Sequence, residues 1–258
     1  MKKLITLLCC VIFGLQVCQA QYTTEKYTVA VADFTGNYAE EMFNVCLATM
    51  PICRVTVVNW NDVAETDLAD DVDFIVTGNI GEIATEPKTG KNILTGAEYN
   101  YYSCKVNFTL VMTDAKTGKI VATRNSYFTN TDQDPDKAVS GCLKFSDQDL
   151  RRLVDNGCII TVPIATLQDV KKNKAQTVII DAGPNIGICE GLYFDIQVES
   201  EMSGRTYYKT IGAAKVKEVL SDELTLCEIT KGGKEVMIYF NEGSTFVLKS
   251  KEEPLIHF

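Results

Sequence analysis

Two hydrophobic periods alternate along the first two-thirds of the chain, and one period governs the rest. In residues 27–34, YTVAVADF, Tyr27, Val29 and Val31 share one face and Thr28, Ala30 and Ala32 the other. The second set is small and mostly apolar, so the spacing predicts a strand buried on both faces. Met42, Phe43, Cys46, Leu47 and Met50 then recur at helical spacing, and Pro51 ends the run. That pattern predicts a helix. RVTVVNW (54–60) reads as a strand. Asp62 with Glu65 resembles a capping box at the start of a short acidic helix. DFIVTGNIGEI (73–83) reads as a strand bent at Gly78 or Gly81.

The clearest hairpin follows. In YNYYSCKVNFTLVMTD (99–114), Cys104, Val106, Phe108, Leu110 and Met112 share a face opposite Ser103, Lys105, Asn107 and Thr109. The turn Asp114–Gly118 leads back through KIVATRNSYFT (119–129), so one face is packed and one is wet. A helical region is predicted over about 136–156. Ser146 with Asp149 resembles its capping box and Gly157 its C-terminal cap. Residues 163–175, PIATLQDVKKNKA, read as a basic linker. After 176 only strand patterns remain: 176–181, 191–199, 206–220, 224–230 and 244–249, separated by Gly183-Pro184, Ser203-Gly204, Ser221-Asp222 and Gly232-Gly233. Five short strands in so few residues predict a small β-barrel.

The N-terminus changes where this architecture is placed. MKKLITLLCCVIFGLQVCQA has a basic start, an apolar run from Leu4 to Leu15 and a small-residue end at Ala20. This is the pattern of a secretory signal peptide over 1–20, too short to be a comfortable transmembrane helix. Neither Cys10 nor Cys18 sits in a good lipobox, so a soluble periplasmic or exported protein is expected, with a lipoprotein as the alternative. Losing Lys2 and Lys3 takes the formal charge from -9 to -11. An acidic chain without a basic cluster is a poor nucleic-acid binder. No later apolar run is long enough to cross a bilayer as a helix.

Of the ten cysteines, those at 46, 53, 104, 142, 158, 189 and 227 would remain after cleavage. An odd number leaves at least one outside any intramolecular disulfide. Small buried apolar side chains account for most of them. Export permits disulfides, and Cys189 with Cys227 is the pair expected, because both fall in the second domain.

Signatures of chemistry fail one by one. The turn after the first strand, Asp33-Phe34-Thr35-Gly36-Asn37, lacks the glycines of a dinucleotide or phosphate loop. Asp33 reads as a turn cap before a catalytic carboxylate. Asp132-x-Asp134-x-Asp136 begins like a calcium loop, yet Lys137 and Leu143 stand where Gly and Glu are needed. A helix N-terminus that favours carboxylates explains it better. Gly183, Gly187 and Gly191 in GPNIGICEG match no phosphate loop and read as a tight lead-in to a strand. The one histidine, His257, is near the C-terminus, GxSxG is absent, and no CxxC occurs among the seven cysteines. No catalytic, cofactor-binding or metal site is therefore expected.

The order YTVAVADF, helix, RVTVVNWNDV, DDVDFIVTGNIGEI and the hairpin TDAKTGKIVATRN resembles the curli-assembly and penicillin-binding-protein-activator type of envelope domain, related to the TolB N-terminal fold. NIGICEGLYFDIQVE followed by TIGAAKVKEVLSDELTLCEIT resembles the SH3-like C-terminal domain of the flagellar H-ring protein. The resemblance implies an α+β chain. After the signal peptide, 21–165 would form an α/β sandwich with a mixed sheet and a long hairpin. A linker over 166–175 and an SH3-like β-barrel over 176–258 would follow. It also implies non-enzymatic binding, scaffolding or assembly work on envelope proteins, with a homo-oligomer admitted and no cofactor. Two alternatives stay open: a subunit of a curli-type outer-membrane pore, and an exported hydrolase using carboxylates such as Asp33 or Asp132.

Overall fold

The computed structural model of the protein describes residues 22–144 and 147–254. The signal-peptide pattern, Ser146 of the expected capping box and His257 lie outside those residues. The chain is α+β: a mixed sheet with helices, then a closed antiparallel barrel of six strands.

Strand β1 (Thr28–Val31) is an interior strand of the sheet in the first half. It pairs in parallel with β3 (Thr56–Asn59) on one side and β4 (Phe74–Ile80) on the other. Both of its faces are buried, as the small second face predicts. Val29 and Val31 enter the main core, while Ala30 enters a smaller cluster with Val63, Val72 and Trp60. The two-residue strand β2 (Thr35–Gly36) pairs with the end of β4. Gly36 has φ 99, and a Cβ there would lie 1.9 Å from the Ile80 carbonyl oxygen. That glycine therefore serves a close backbone crossing. Helix α1 (Ala39–Thr49) then buries Met42 and Cys46.

The second helix begins earlier than the Asp62 capping box predicts. Helix α2 (Trp60–Val63) is capped by Asn59, whose side chain accepts from the Asn61 amide. A separate 3-10 turn (Asp67–Asp71) is capped by Thr66. The acidic stretch thus divides between two short turns, each with its own polar cap.

β4 breaks at Gly81, whose amide donates to Asn107 O at 2.8 Å. The chain resumes as β5 (Ala84–Lys91), a strand that the hydrophobic pattern does not predict. Strand β6 (Glu98–Asp114) carries β4 and then β5 along one edge and β7 (Ile120–Asp132) along the other. Cys104, Val106, Phe108, Leu110 and Met112 are all buried, in agreement with the alternation. The β6–β7 turn is closed by Asp114, whose Oδ1 accepts from Thr117 Oγ1, Thr117 N and Lys116 N. These bonds, the Thr117 hydroxyl foremost, hold its pKa below the usual carboxylate range.

The expected helical region is two helices, α3 (Pro135–Cys142) and α4 (Asp147–Gly157). The aspartates before α3 act as caps: Asp132 Oδ1 accepts from Asp134 N, and Asp134 Oδ1 from Asp136 N. Replacing Asp134 with Ala is expected to cost about 1 kcal/mol in a urea titration. Gly157 is the last residue of α4 rather than a cap beyond it. A Cβ there would lie 2.2 Å from the sulfur of Met112, so packing explains this glycine.

The barrel runs β10-β11-β12-β9-β8-β13 and closes. Its strands are β8 (Thr161–Lys171), β9 (Lys174–Asp181), β10 (Tyr193–Met202), β11 (Arg205–Val219), β12 (Leu224–Lys231) and β13 (Phe246–Lys251). The linker expected over 166–175 is a correction. Those residues are the outer parts of β8 and β9 and the turn Lys172-Asn173, both with positive φ. This half of β8 is almost all exposed, so it carries no alternation to betray a strand. The reading of strands alone after 176 also needs correcting. Helix α5 (Gly233–Asn241) follows Gly232 and buries Val236 in the barrel core.

Candidate interaction surface and the joint between the halves

The two larger hydrophobic cores among the described residues are one from residues up to Cys158 and one from Ile160 onward. Tyr27 packs on both, and its hydroxyl donates to Ile159 O at 3.0 Å. The halves meet at Arg54, which is 2% exposed. Its Nε donates to Asp155 Oδ1 (3.1 Å) on α4, Nη2 to Cys158 O (3.2 Å) and Nη1 to Gly187 O (2.9 Å) in the barrel lead-in. A guanidinium suits this place because its fork serves three acceptors in fixed directions. Burial raises the pKa of Asp155, and the Arg54 charge opposes that rise.

Gly187 completes the joint. Its φ is 87, and a Cβ would lie 2.3 Å from Arg54 O. GPNIGICEG is therefore a contact surface, with Pro184–Ile186 as a 3-10 turn. Further ties run from α4 to the tail of β13. Arg152 Nε pairs with Glu252 Oε1 at 2.8 Å, and Asn156 Nδ2 donates to Glu252 Oε2 at 3.0 Å.

At the opposite extreme stands the β5–β6 turn. Asn92 Oδ1 accepts from Leu94 N and Thr95 N, and Gly96 N donates to Asn92 O. This ordered turn presents Ile93 and Leu94 at 99% and 95% exposure. Tyr99 and Tyr101 line the ribbon below, ring centroids 5.8 Å apart. The other turn of the long ribbon is docked, since Ala115 N donates to Asp73 O at 2.9 Å. The apolar end is thus the free end.

The residues singled out in the sequence fall apart in space or into local roles. Asp33 Oδ1 accepts from Asn61 Nδ2 at 2.8 Å. Asp132 caps the segment before α3. Among the described residues, no group of three or more His, Cys, Asp or Glu side chains is placed to hold a metal ion. Cys227 is fully buried in the barrel, where burial pushes its thiol up to about 12. The structure brings Cys189 to Cys53 instead, Sγ to Sγ 3.2 Å. Arg54 and Asp155 carry no signal in the sequence beyond a charge at a strand start and another on an amphipathic helix.

No family model matches the chain, and no curated protein matches it. Solved structures do. The minor lipoprotein from Acinetobacter baumannii is 9% identical over 52% of this chain and 95% of its own, with a TM-score of 0.33. Lipoprotein GNA1162 from Neisseria meningitidis is 13% identical over 45% and 92%, with a TM-score of 0.29. The PelC dodecamer from Paraburkholderia phytofirmans is 13% identical over 48% and 87%, with a TM-score of 0.28. Likenesses of this size assign no family. Among the described residues, no helix is long and apolar enough to cross a membrane.

Proposed function

We propose that the chain is an exported, non-enzymatic binding or assembly module of a bacterial envelope, which engages a partner protein through the apolar end of its β5–β6 ribbon. The carrying observation is Ile93 and Leu94, held outward by an ordered turn on a ribbon whose opposite turn is docked. Burying an Ile or Leu side chain stabilises a complex by roughly 1.5–3 kcal/mol each. Leaving both in water on a structured tip is what a contact residue requires. In this reading the first half binds and the barrel half supports it. The TolB-like and SH3-like resemblances support a chain of two such halves doing non-enzymatic envelope work. Asp33 and Asp132, the carboxylates that a hydrolase would recruit, are engaged in separate local bonds.

A photo-crosslinking residue at position 94, set against one at exposed Leu68, tests the reading in envelope extracts. Adducts specific to 94 are expected. The double variant Ile93→Asp, Leu94→Asp is expected to lose the same partner by about a hundredfold in affinity, which corresponds to about 3 kcal/mol. Its urea midpoint should hardly move. Identical adducts from both positions would overturn the reading. Flotation of the wild type, but not the variant, with lipid vesicles would move the protein to the pore or membrane alternative. A self-adduct would make the partner a second copy of the chain.

A further inference from the structure

We propose that Cys53 and Cys189 form a disulfide that clamps the sheet half to the barrel. Cys53 lies in the turn after α1, closed by the Arg54 amide donating to Pro51 O at 2.8 Å. Cys189 lies in the barrel lead-in, two residues after Gly187. The two backbones are locked together independently of the sulfurs, by the Arg54 guanidinium on Gly187 O and by the press of Arg54 O against Gly187. A backbone position within two residues of each thiol is thus tied across the joint, which limits how far the sulfurs can separate. Their sulfurs stand 3.2 Å apart. A bond of about 2.0 Å then needs a movement of only about 1 Å, within reach of small side-chain rotations.

The pair is also the accessible one. Cys53 is exposed and Cys189 half-buried, whereas Cys46, Cys104, Cys142, Cys158 and Cys227 are buried. The two thiols divide the work of oxidation. A hydrogen bond from Cys189, with Arg54, Arg151 and Lys26 nearby, draws the Cys53 thiol down to about 6, while the same bond and burial push Cys189 up. Cys53 is therefore the attacking thiolate.

The step balances with a small-molecule disulfide as oxidant. The Cys53 thiolate attacks one sulfur of that disulfide and forms a mixed disulfide, releasing one thiolate. Cys189 gives its proton to solvent, and its sulfur then attacks Cys53 Sγ and expels the second thiolate. One disulfide of the oxidant is reduced to two thiols, and one forms in the protein. The chemistry belongs to the pair and does not depend on which partner the ribbon binds. An oxidising envelope compartment would keep the bond made.

The experiment incubates the reduced full-length chain with oxidised glutathione, alkylates remaining thiols and maps the digest without reductant. A cross-linked peptide joining Cys53 to Cys189 is expected. The melting temperature of the oxidised wild type should rise by roughly 5–10 °C over the reduced form. Cys53→Ser and Cys189→Ser should each abolish the shift, while Cys227→Ser keeps it. Free thiols at 53 and 189 in the oxidised sample, or a link from Cys189 to Cys227, would overturn the proposal. Peptide mapping of the wild type decides the matter even if a variant fails to fold.

Discussion

Arg54→Met is expected to lower the stability of the reduced protein by about 3–5 kcal/mol, the range for removing one member of a buried ion pair. Met fills much of the same space, so the loss is polar. Gly187 O and Cys158 O lose their donor and Asp155 loses its cation, all at a site closed to water. Arg54→Lys should recover only part, because an ammonium cannot reach three acceptors in the guanidinium's directions. The pH dependence identifies the cause. Burial holds Asp155 above the ordinary carboxylate pKa, and Arg54 pulls it back. A group raised on folding favours the folded state below its unfolded pKa and loses that contribution as pH rises through the folded value. Without Arg54 the folded value climbs further. The deficit of Arg54→Met should thus be largest near neutral pH and shrink in acid as Asp155 takes up a proton. Urea titrations at several pH values, with reductant present, measure it. A deficit that stays flat with pH would remove Asp155 from the explanation.

Phe194→Ala is expected to cost about 3–5 kcal/mol, as for other buried aromatics cut to a methyl. Phe194 is fully buried on β10, opposite Ala214 of β11 and Ser250 of β13. Small neighbours on both flanks leave little to collapse into the space. The protein supplies its own reporter for the reach of this damage. Trp60 is the only tryptophan, and it packs in the sheet half beside Val63 and Val72. If Arg54 and Tyr27 couple the halves, the Trp60 fluorescence midpoint should fall with the circular-dichroism midpoint in one transition. An unmoved Trp60 midpoint beside a lowered barrel transition would show that the halves unfold separately.

Where one face is dry and the other wet or small, the sequence declared its elements: β1, α1, β4 and the β6–β7 ribbon were all legible from period alone. β5 was not, because every residue but Gly90 is exposed and Pro87 interrupts it. β8 was hidden for the same reason, with lysines clustered at its turn. α5 was hidden by Gly232 and Gly233, which read as a turn and serve instead as its start. The joint was beyond reach for a different reason. Arg54 meets Asp155 and Gly187 across 101 and 133 residues of chain, and no local period records such a meeting. The expectation of a Cys189–Cys227 pair rests on the two cysteines sharing a domain, which is as far as sequence position reaches. The fold brings the lead-in of the barrel to the other half.

The closure of the barrel has a temporal consequence. β13 is the last strand among the described residues, and it is hydrogen-bonded to both β8 and β10. As the chain emerges N-terminus first, the sheet half has its whole core once Cys158 is free. From then until Phe246–Lys251 arrives, β8 and β10 each present an unpaired edge, the kind of edge on which chains aggregate. A single short segment turns two sticky borders into none. Folding of the second half is therefore gated by the arrival of this one segment, and any factor that shields an open edge would matter in that interval alone.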